Sequence, residues 1–248
     1  MIPVDNLSHC KHLFFDVDNT LTRSKSPILP EHAEILRKIS DRFDIIIVSG
    51  SKQEDIAGRF AQVDPVKSFV LSQNGNHAVD QHGELLWERK LSDTQKQAIY
   101  AFIEKARAHT HPPVSDESDL IEDRGCQIAF SFLGHHEKIE LKEKFDPKFE
   151  VRNKVLHDLS ADVEILSKDF GIEISNGGTT NLDIYLKGKN KGFNSKALID
   201  LCGWNVDECM YFGDALLPGG NDYSVVGIIP THQVADYKET FSILKELL

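Results

Sequence analysis

Short apolar runs separated by amphipathic stretches fill the first third of the chain, and their order predicts the fold class. Residues 13–17 are apolar apart from Asp16, residues 44–48 are apolar after Asp44, and residues 69–71 are Phe-Val-Leu. Continuous runs of this length, rather than alternating ones, mark strands buried on both faces. Between them Pro30 opens a segment in which Ile35, Leu36 and Ile39 share a helical face, and residues 54–60 have helical spacing. Strand, helix, strand, helix, strand predicts a parallel sheet with right-handed crossovers, an α/β architecture.

The texture changes after Asn74-Gly75. Residues 77–80 and 84–87 flank Gln81-His82-Gly83 and read as a hairpin. Ser92 with Gln95 three residues on is a capping box, so a helix runs to about residue 107. Residues 111–116 read as a loop, 120–122 and 127–132 as strands around Gly125, 148–159 as a helix, and 171–175 and 180–186 as strands around Asn176-Gly177-Gly178. A helix resumes at Lys191, and residues 210–213 and 225–229 are again apolar strands. This middle part is α+β in texture. The chain therefore reads as a core of residues 1–84 and 187–248, interrupted by an α+β insert of residues 85–186.

Composition narrows the partners. The chain has 248 residues, 40% hydrophobic and 27% charged, with a formal net charge of −11. A strong acidic excess without a basic run argues against nucleic-acid backbones and anionic membranes as partners. A small phosphorylated metabolite needs only a local cationic pocket and stays open. No apolar run approaches the ~20 residues of a membrane span, and Met1–Asn6 lacks the pattern of a signal peptide. The four cysteines form no Cys-x-x-Cys pair, which suits a reduced, cytoplasmic setting.

Chemistry concentrates where the apolar runs end. Phe14-Phe15-Asp16-Val17-Asp18-Asn19-Thr20 brings two carboxylates to the end of a strand, both on one side. Two such charges about 4 Å apart repel by about 4 kcal/mol at an effective dielectric of 20. That repulsion calls for a cation, a shared proton or a phosphoryl-transfer site; the plain alternative is an acidic strand edge. A second strand, Tyr211-Phe212-Gly213, ends in Asp214 and leads through Pro218-Gly219-Gly220 to Asn221-Asp222. A third ends in Ser49, and Lys191-Gly192 stands at a helix start.

In this order the four segments resemble the motifs of the haloacid dehalogenase (HAD) superfamily of phosphotransferases. That resemblance implies a Rossmann-like core with helices flanking the sheet and a cap inserted between the second and third motifs, of the IIB type. Asn181-Leu182-Asp183, Lys191 and the Phe-Gly-Asp to Pro-Gly-Gly-Asn-Asp stretch are most similar to eukaryotic-type phosphomannomutases, as are Ile121–Arg124 and Ser131–Gly134. Where that family carries three further arginines this chain has Lys25, His135 and, nearest the last, Lys138 and Lys142. Lysine is a point charge and histidine only part-charged, so a clamp for a second phosphate is weaker here. Asn19 replaces the family's usual Gly, a milder change because Asn tolerates left-handed backbone.

The resemblance assigns roles residue by residue. Asp16 is the nucleophile and Asp18 the general acid–base. Mg²⁺ is expected on the Asp16 carboxylate, the Asp18 carbonyl and Asp214, with Asn221 and Asp222 supporting it, since hard oxygen ligands suit that ion. Ser49 and Lys191 hold the phosphoryl oxygens; Ser49 as a helix N-cap and Lys189 as the phosphate lysine are the alternatives. Lys25, Arg124, His135, Lys138, Lys142, Asn181 and Asp183 are the substrate-binding candidates. For Arg124 the alternative is a solvated strand position, for Asn181 and Asp183 strand or turn structure, and for His135, His136, Lys138 and Lys142 a solvated face. Cys126 reads as a buried small hydrophobe. The function this implies is a Mg²⁺-dependent HAD phosphotransferase acting on a hexose phosphate, with the phosphatase preferred. A bisphosphate-dependent phosphomannomutase or phosphoglucomutase is the alternative, and an idle HAD-fold binding protein a remote third. A homodimer is implied only by the family's habit of pairing.

Overall fold

A computed structural model describes residues 7, 9–61, 67–110 and 112–248; the expectation about Met1–Asn6 lies outside them. In chain order the elements are β1 (His12–Phe15), α1 (Pro30–Ile39), β2 (Asp44–Val48), α2 (Gln53–Phe60), β3 (Ser68–Ser72), β4 (His77–Val79), β5 (Leu85–Glu88) and α3 (Asp93–His109). Then come β6 (Ile121–Asp123), β7 (Gln127–Ser131), α4 (Ile139–Phe145), α5 (Glu150–Asp158), α6 (Ser160–Asp169), β8 (Ile172–Gly177) and β9 (Asn181–Leu186). The chain closes with α7 (Lys191–Cys202), β10 (Cys209–Gly213), β11 (Thr231–Gln233) and α8 (Tyr237–Glu246).

Two compact units result: the chain up to Glu88 together with Asn190–Leu248, and Arg89–Lys189. The first is built on a seven-stranded sheet in the order β11-β10-β1-β2-β3-β4-β5. The five strands from β11 to β3 are parallel, and β4 and β5 continue the sheet antiparallel. β5 thus belongs to the larger sheet, a shift of the insert's start from residue 85 to 89. β1 lies between β10 and β2, and Leu13, Phe14 and Phe15 are completely buried. Phe15 stacks on Phe212 of the neighbouring strand at 5.1 Å between centroids. Each such side chain contributes about 1.5–3 kcal/mol by leaving water, which fixes the register of the strand that delivers Asp16.

The second unit has a four-stranded antiparallel sheet, β6-β7-β9-β8. Its own core includes Ile99, Phe102, Ile103, Ile128, Phe130, Phe132, Leu166 and Ile184. Ser92 caps α3 with both bonds of the capping box: it accepts from the Gln95 N–H (3.3 Å) and donates its own N–H to the Gln95 side chain (2.9 Å).

Three sequence expectations are corrected. Residues 225–229 are not a strand. Val225 and Ile229 are buried, but Gly227 at φ +82 turns the chain between them, and the edge strand is β11, beyond Pro230. The helix expected over 148–159 is α5, and α6 follows it directly after a break at Leu159 (φ −99, ψ 23). α4 was not foreseen at all. Among the described residues no helix is long and apolar enough to cross a membrane.

Candidate active site

Three carboxylates converge in the first unit. Asp16 follows β1, Asp214 follows β10, and Asp222 closes the Gly-rich loop after Asp214. One oxygen from each lies within 4.8 Å of the others. Lys191 reaches them from the first position of α7, its Nζ 2.6 Å from Asp16 Oδ1 and 2.7 Å from Asp222 Oδ1. Asn190 caps that helix by accepting the Phe193 N–H, which fixes where the lysine starts. Lys191 is therefore the lysine that joins the carboxylate cluster. Tyr211, inside β10, donates its hydroxyl to the same Asp222 oxygen at 2.7 Å. Gly213 leaves room for this arrangement: a Cβ there would stand 2.6 Å from Asp222 Oδ2.

The electrostatics follow from crowding. Burial pushes the Asp16 carboxyl well above the usual carboxylate range; Lys191 pulls it down, and Asp222, Asp214 and Asp18 push it up again. Burial, then Asp222, raises Asp214 to about 7. Burial pulls Lys191 down, but Asp16 and Asp222 outweigh it and leave the ammonium above its ordinary value. With all three carboxylates ionised, one ammonium leaves two negative charges uncompensated, and the buried Asp16 Oδ2 has no hydrogen-bond partner. An all-oxygen donor set short of two positive charges fits a hard divalent cation. Asn221 is half-buried beside Asp222 in the loop.

Asp18 faces elsewhere. Its Oδ1 accepts from the Lys25 backbone N–H (2.8 Å) and from Arg59 Nη1 (2.9 Å). Burial pushes Asp18 up, but Arg59 and the Lys25 N–H outweigh burial and hold it below its ordinary value. Lys25 and Asn19 both have left-handed backbone, φ +58 and +60, and Asn19 donates to Asp214 (3.3 Å). Ser49 is buried at the end of β2. It is not the N-cap of α2, a place held by Lys52; its hydroxyl accepts the Ser51 N–H at 3.1 Å. The loop after β3 braces this turn: Gln73 and Asn74, both at positive φ, donate their N–H groups to the Ser51 and Ser49 carbonyls (3.0 and 2.8 Å).

Arg59 and Tyr211 were missed by sequence reasoning. The signal for Arg59 was its place three residues after Ile56, on the buried stripe of α2. Tyr211 carries a hydroxyl in a strand otherwise buried for its apolarity, and that hydroxyl needs a partner.

In the second unit the candidate residues are mostly committed to its own structure. Arg124 is buried and directs Nε (2.9 Å) and Nη2 (2.7 Å) to Glu122 Oε2. His135 is buried, with Nδ1 3.8 Å from Glu122 and Nε2 3.3 Å from the Ala129 carbonyl. Lys142 is 3% exposed and donates to the carbonyls of Gly134 (3.1 Å) and His135 (3.0 Å). These two are not a solvated face, because the turn after β7 closes over them. Lys138 and His136 are exposed, His136 pairing with Asp119. Asn181 and Asp183 are buried on β9, and Asn181 Oδ1 accepts from Thr180 (3.3 Å). Cys126 is buried. Arg152, also missed, is 1% exposed; it pairs with Asp146 (2.8 Å) and donates to the carbonyls of Gly177, Gly178 and Asn181.

Residues 13–226 match the family described as haloacid dehalogenase-like hydrolase. The chain belongs to that family. It is 29% identical over 249 residues to phosphomannomutase 1 of Mus musculus, covering 94% of this chain and 90% of the relative. It is 26% identical to a probable phosphomannomutase of Caenorhabditis elegans, covering 95% and 96%. Among solved structures it resembles the N-terminally truncated, IMP-bound IMP-nucleotidase of Plasmodium falciparum (TM-score 0.70, 18% identity, 98% of this chain and 71% of that one). It also resembles a haloacid dehalogenase-like hydrolase of Bacteroides thetaiotaomicron (TM-score 0.61, 16% identity, 96% and 100%). The structural likenesses speak for the fold. Family and relatives together make the chain an enzyme, a HAD-type phosphotransferase.

Proposed function

We propose that this enzyme is a phosphomutase of the phosphomannomutase type, moving a phosphoryl group on a hexose phosphate through an aspartyl-phosphate at Asp16. The observation that supports it is the end-to-end likeness to phosphomannomutases, over nine-tenths of both chains and so through the insert as well as the core. This reverses the preference drawn from sequence, where the phosphatase stood first. Asp16 forms a bond to phosphorus while the bond to the leaving oxygen breaks, and Asp18 gives that oxygen its proton. In the return step Asp18 takes the proton of the accepting hydroxyl, which attacks the phosphoryl group and frees Asp16. Ser49 and Lys191 hold the phosphoryl oxygens, where positioning and charge stabilisation dominate catalysis. Asp16, Asp214, Asp222 and the Asp18 carbonyl would hold Mg²⁺, with Asn221 in support. Bound there it would neutralise the crowded carboxylates and the transferring phosphate. Residues 89–189 would select the sugar, with Arg124, Lys138, Asn181 and Asp183 as the candidate contacts there; in the first unit Lys25, whose N–H bonds Asp18, would add a cation near the acid–base.

A hydrolase is the second reading, in which water is the acceptor. Arg124 is occupied by Glu122 and Lys142 by two carbonyls, which weakens the grip on a second phosphate. Cytoplasmic residence, supported by four cysteines that form no disulfide, and a homodimer complete the proposal. The test is a panel of hexose phosphates with and without a hexose bisphosphate. Isomer interconversion that depends on the bisphosphate supports the mutase; phosphate release indifferent to it supports the hydrolase.

A further inference from the structure

Arg59 is one of two buried residues on α2, and its guanidinium serves neither its own helix nor solvent. Nη1 donates to Asp18 Oδ1 at 2.9 Å and Nη2 to Ser51 Oγ at 3.3 Å. Ser51 in turn donates its N–H to Ser49 Oγ at 3.1 Å. One planar, rigid cation therefore spans the loop that carries Asp18 and the loop that carries Ser49. Its side chain is 7% exposed against 22% for Asp18, so water screens the pair weakly. Asp18 Oδ1 is gripped a second time by the Lys25 N–H at 2.8 Å. Two donors on one oxygen, with a further side-chain bond from Ser24, hold the carboxylate against rotation about its Cβ–Cγ bond. A lysine could not do the same, since a point charge has no fork to hold two acceptors at fixed spacing.

We propose that Arg59 is a positioning residue for proton transfer: it orients Asp18 toward the leaving and accepting oxygens and fixes its spacing to Ser49. The inference rests on the reading of Asp18 as the general acid–base. It concerns orientation, so the expected loss is in kcat and not in substrate or metal affinity.

The experiment compares Arg59→Met, Asp18→Asn and the double variant in the full-length enzyme. It measures kcat, KM, the Mg²⁺ half-saturation and the thermal midpoint. Arg59→Met is expected to lower kcat by roughly 10–10²-fold, part of the ~10²–10⁴ that acid–base catalysis supplies, with KM and Mg²⁺ half-saturation unchanged within about twofold. In the Asp18→Asn background the same change should cause no further loss, because the group it orients is gone. The rate of enzyme phosphorylation should fall for a sugar phosphate and much less for an aryl phosphate, whose phenolate leaves without a proton. Native kcat in Arg59→Met, or an equal loss in the Asp18→Asn background, overturns the proposal. So does a loss confined to Mg²⁺ half-saturation. If Arg59→Met does not fold, Arg59→Lys keeps the stem and the charge but not the fork. It should lose roughly tenfold in kcat, part of the same acid–base contribution, and a native value again overturns the proposal. An Asp18→Asn enzyme of native activity would instead refute the acid–base reading beneath it.

Discussion

Lys191 stands between two buried carboxylates, and its removal would leave Asp16 and Asp222 facing each other without compensation. Lys191→Met should abolish turnover and, in chelator, destabilise the fold by about 3–5 kcal/mol, the range for breaking a buried pair by deleting one partner. Urea midpoints with and without Mg²⁺ check this; an unchanged midpoint in chelator would mean that the carboxylates relax apart at little expense. Asp16→Asn should eliminate both turnover and the phosphoenzyme. Asp18→Asn should lower turnover by ~10²–10⁴ while leaving the fold intact. Substantial phosphoenzyme in Asp16→Asn would exclude the covalent route. Asp16, Asp214, Ser49 and Lys191 were legible in the sequence because each sits directly after a strand or at a helix start, where chain direction alone places it at the sheet edge. Arg59 and Tyr211 were not, because their partners Asp18 and Asp222 are reached through space, from a helix face and a strand face that look merely buried.

At the scale of elements, α4 shows how a charge pattern misleads. Lys138 and Lys142 read from sequence as substrate-binding candidates, with a solvated face as the alternative. The short helix Ile139–Phe145 instead turns Lys142 inward, onto carbonyls of the Gly134-His135 turn. Lys142→Met should lower stability by about 1–3 kcal/mol, the scale of buried acceptors left without a donor, and leave KM for a monophosphate nearly unchanged. A KM raised tenfold or more at constant melting temperature would return Lys142 to the substrate. The capping box at Ser92 and the hairpin turn at Gly83 were legible because their signals are local. The failure at residues 225–229 has the opposite cause: an apolar run was taken for a strand, while Gly227 at φ +82 breaks it and leaves its two ends to pack as separate anchors.

For the whole molecule, the carboxylate cluster links pH, metal and stability. Asp214 is pushed up from an ordinary 3.8 to about 7 by burial and by Asp222, so the folded state holds its proton more tightly than the unfolded chain does. Stability of the metal-free protein should therefore fall as pH rises from about 4 to about 7. Mg²⁺, binding the ionised form, should flatten that fall. Melting temperatures at about pH 5 and about pH 7.5, with Mg²⁺ or with chelator, measure it; equal slopes in the two series would remove Asp214 from the metal site. Asp18 acts outside this window: burial raises it, but Arg59 outweighs burial, so its contribution disappears only as pH drops below the ordinary carboxylate value.

β1, an inner strand of the larger sheet, pairs on one side with β2 and on the other with β10, almost two hundred residues later in the chain. On the ribosome Asp16, the proposed nucleophile, is thus made early and stays without its partners, since Lys191, Asp214 and Asp222 are all still to come. The unit Arg89–Lys189 is continuous in sequence and can close first, within the ~5–20 s that about a hundred residues take to synthesise. Until the last quarter emerges, the Phe14 ring lacks Trp204 and the Phe15 ring lacks Phe212. Chains truncated between Gly203 and Cys209 and released from the ribosome should accordingly bind chaperones and resist protease only within the second unit, whereas the 248-residue chain should be protected in both sheets.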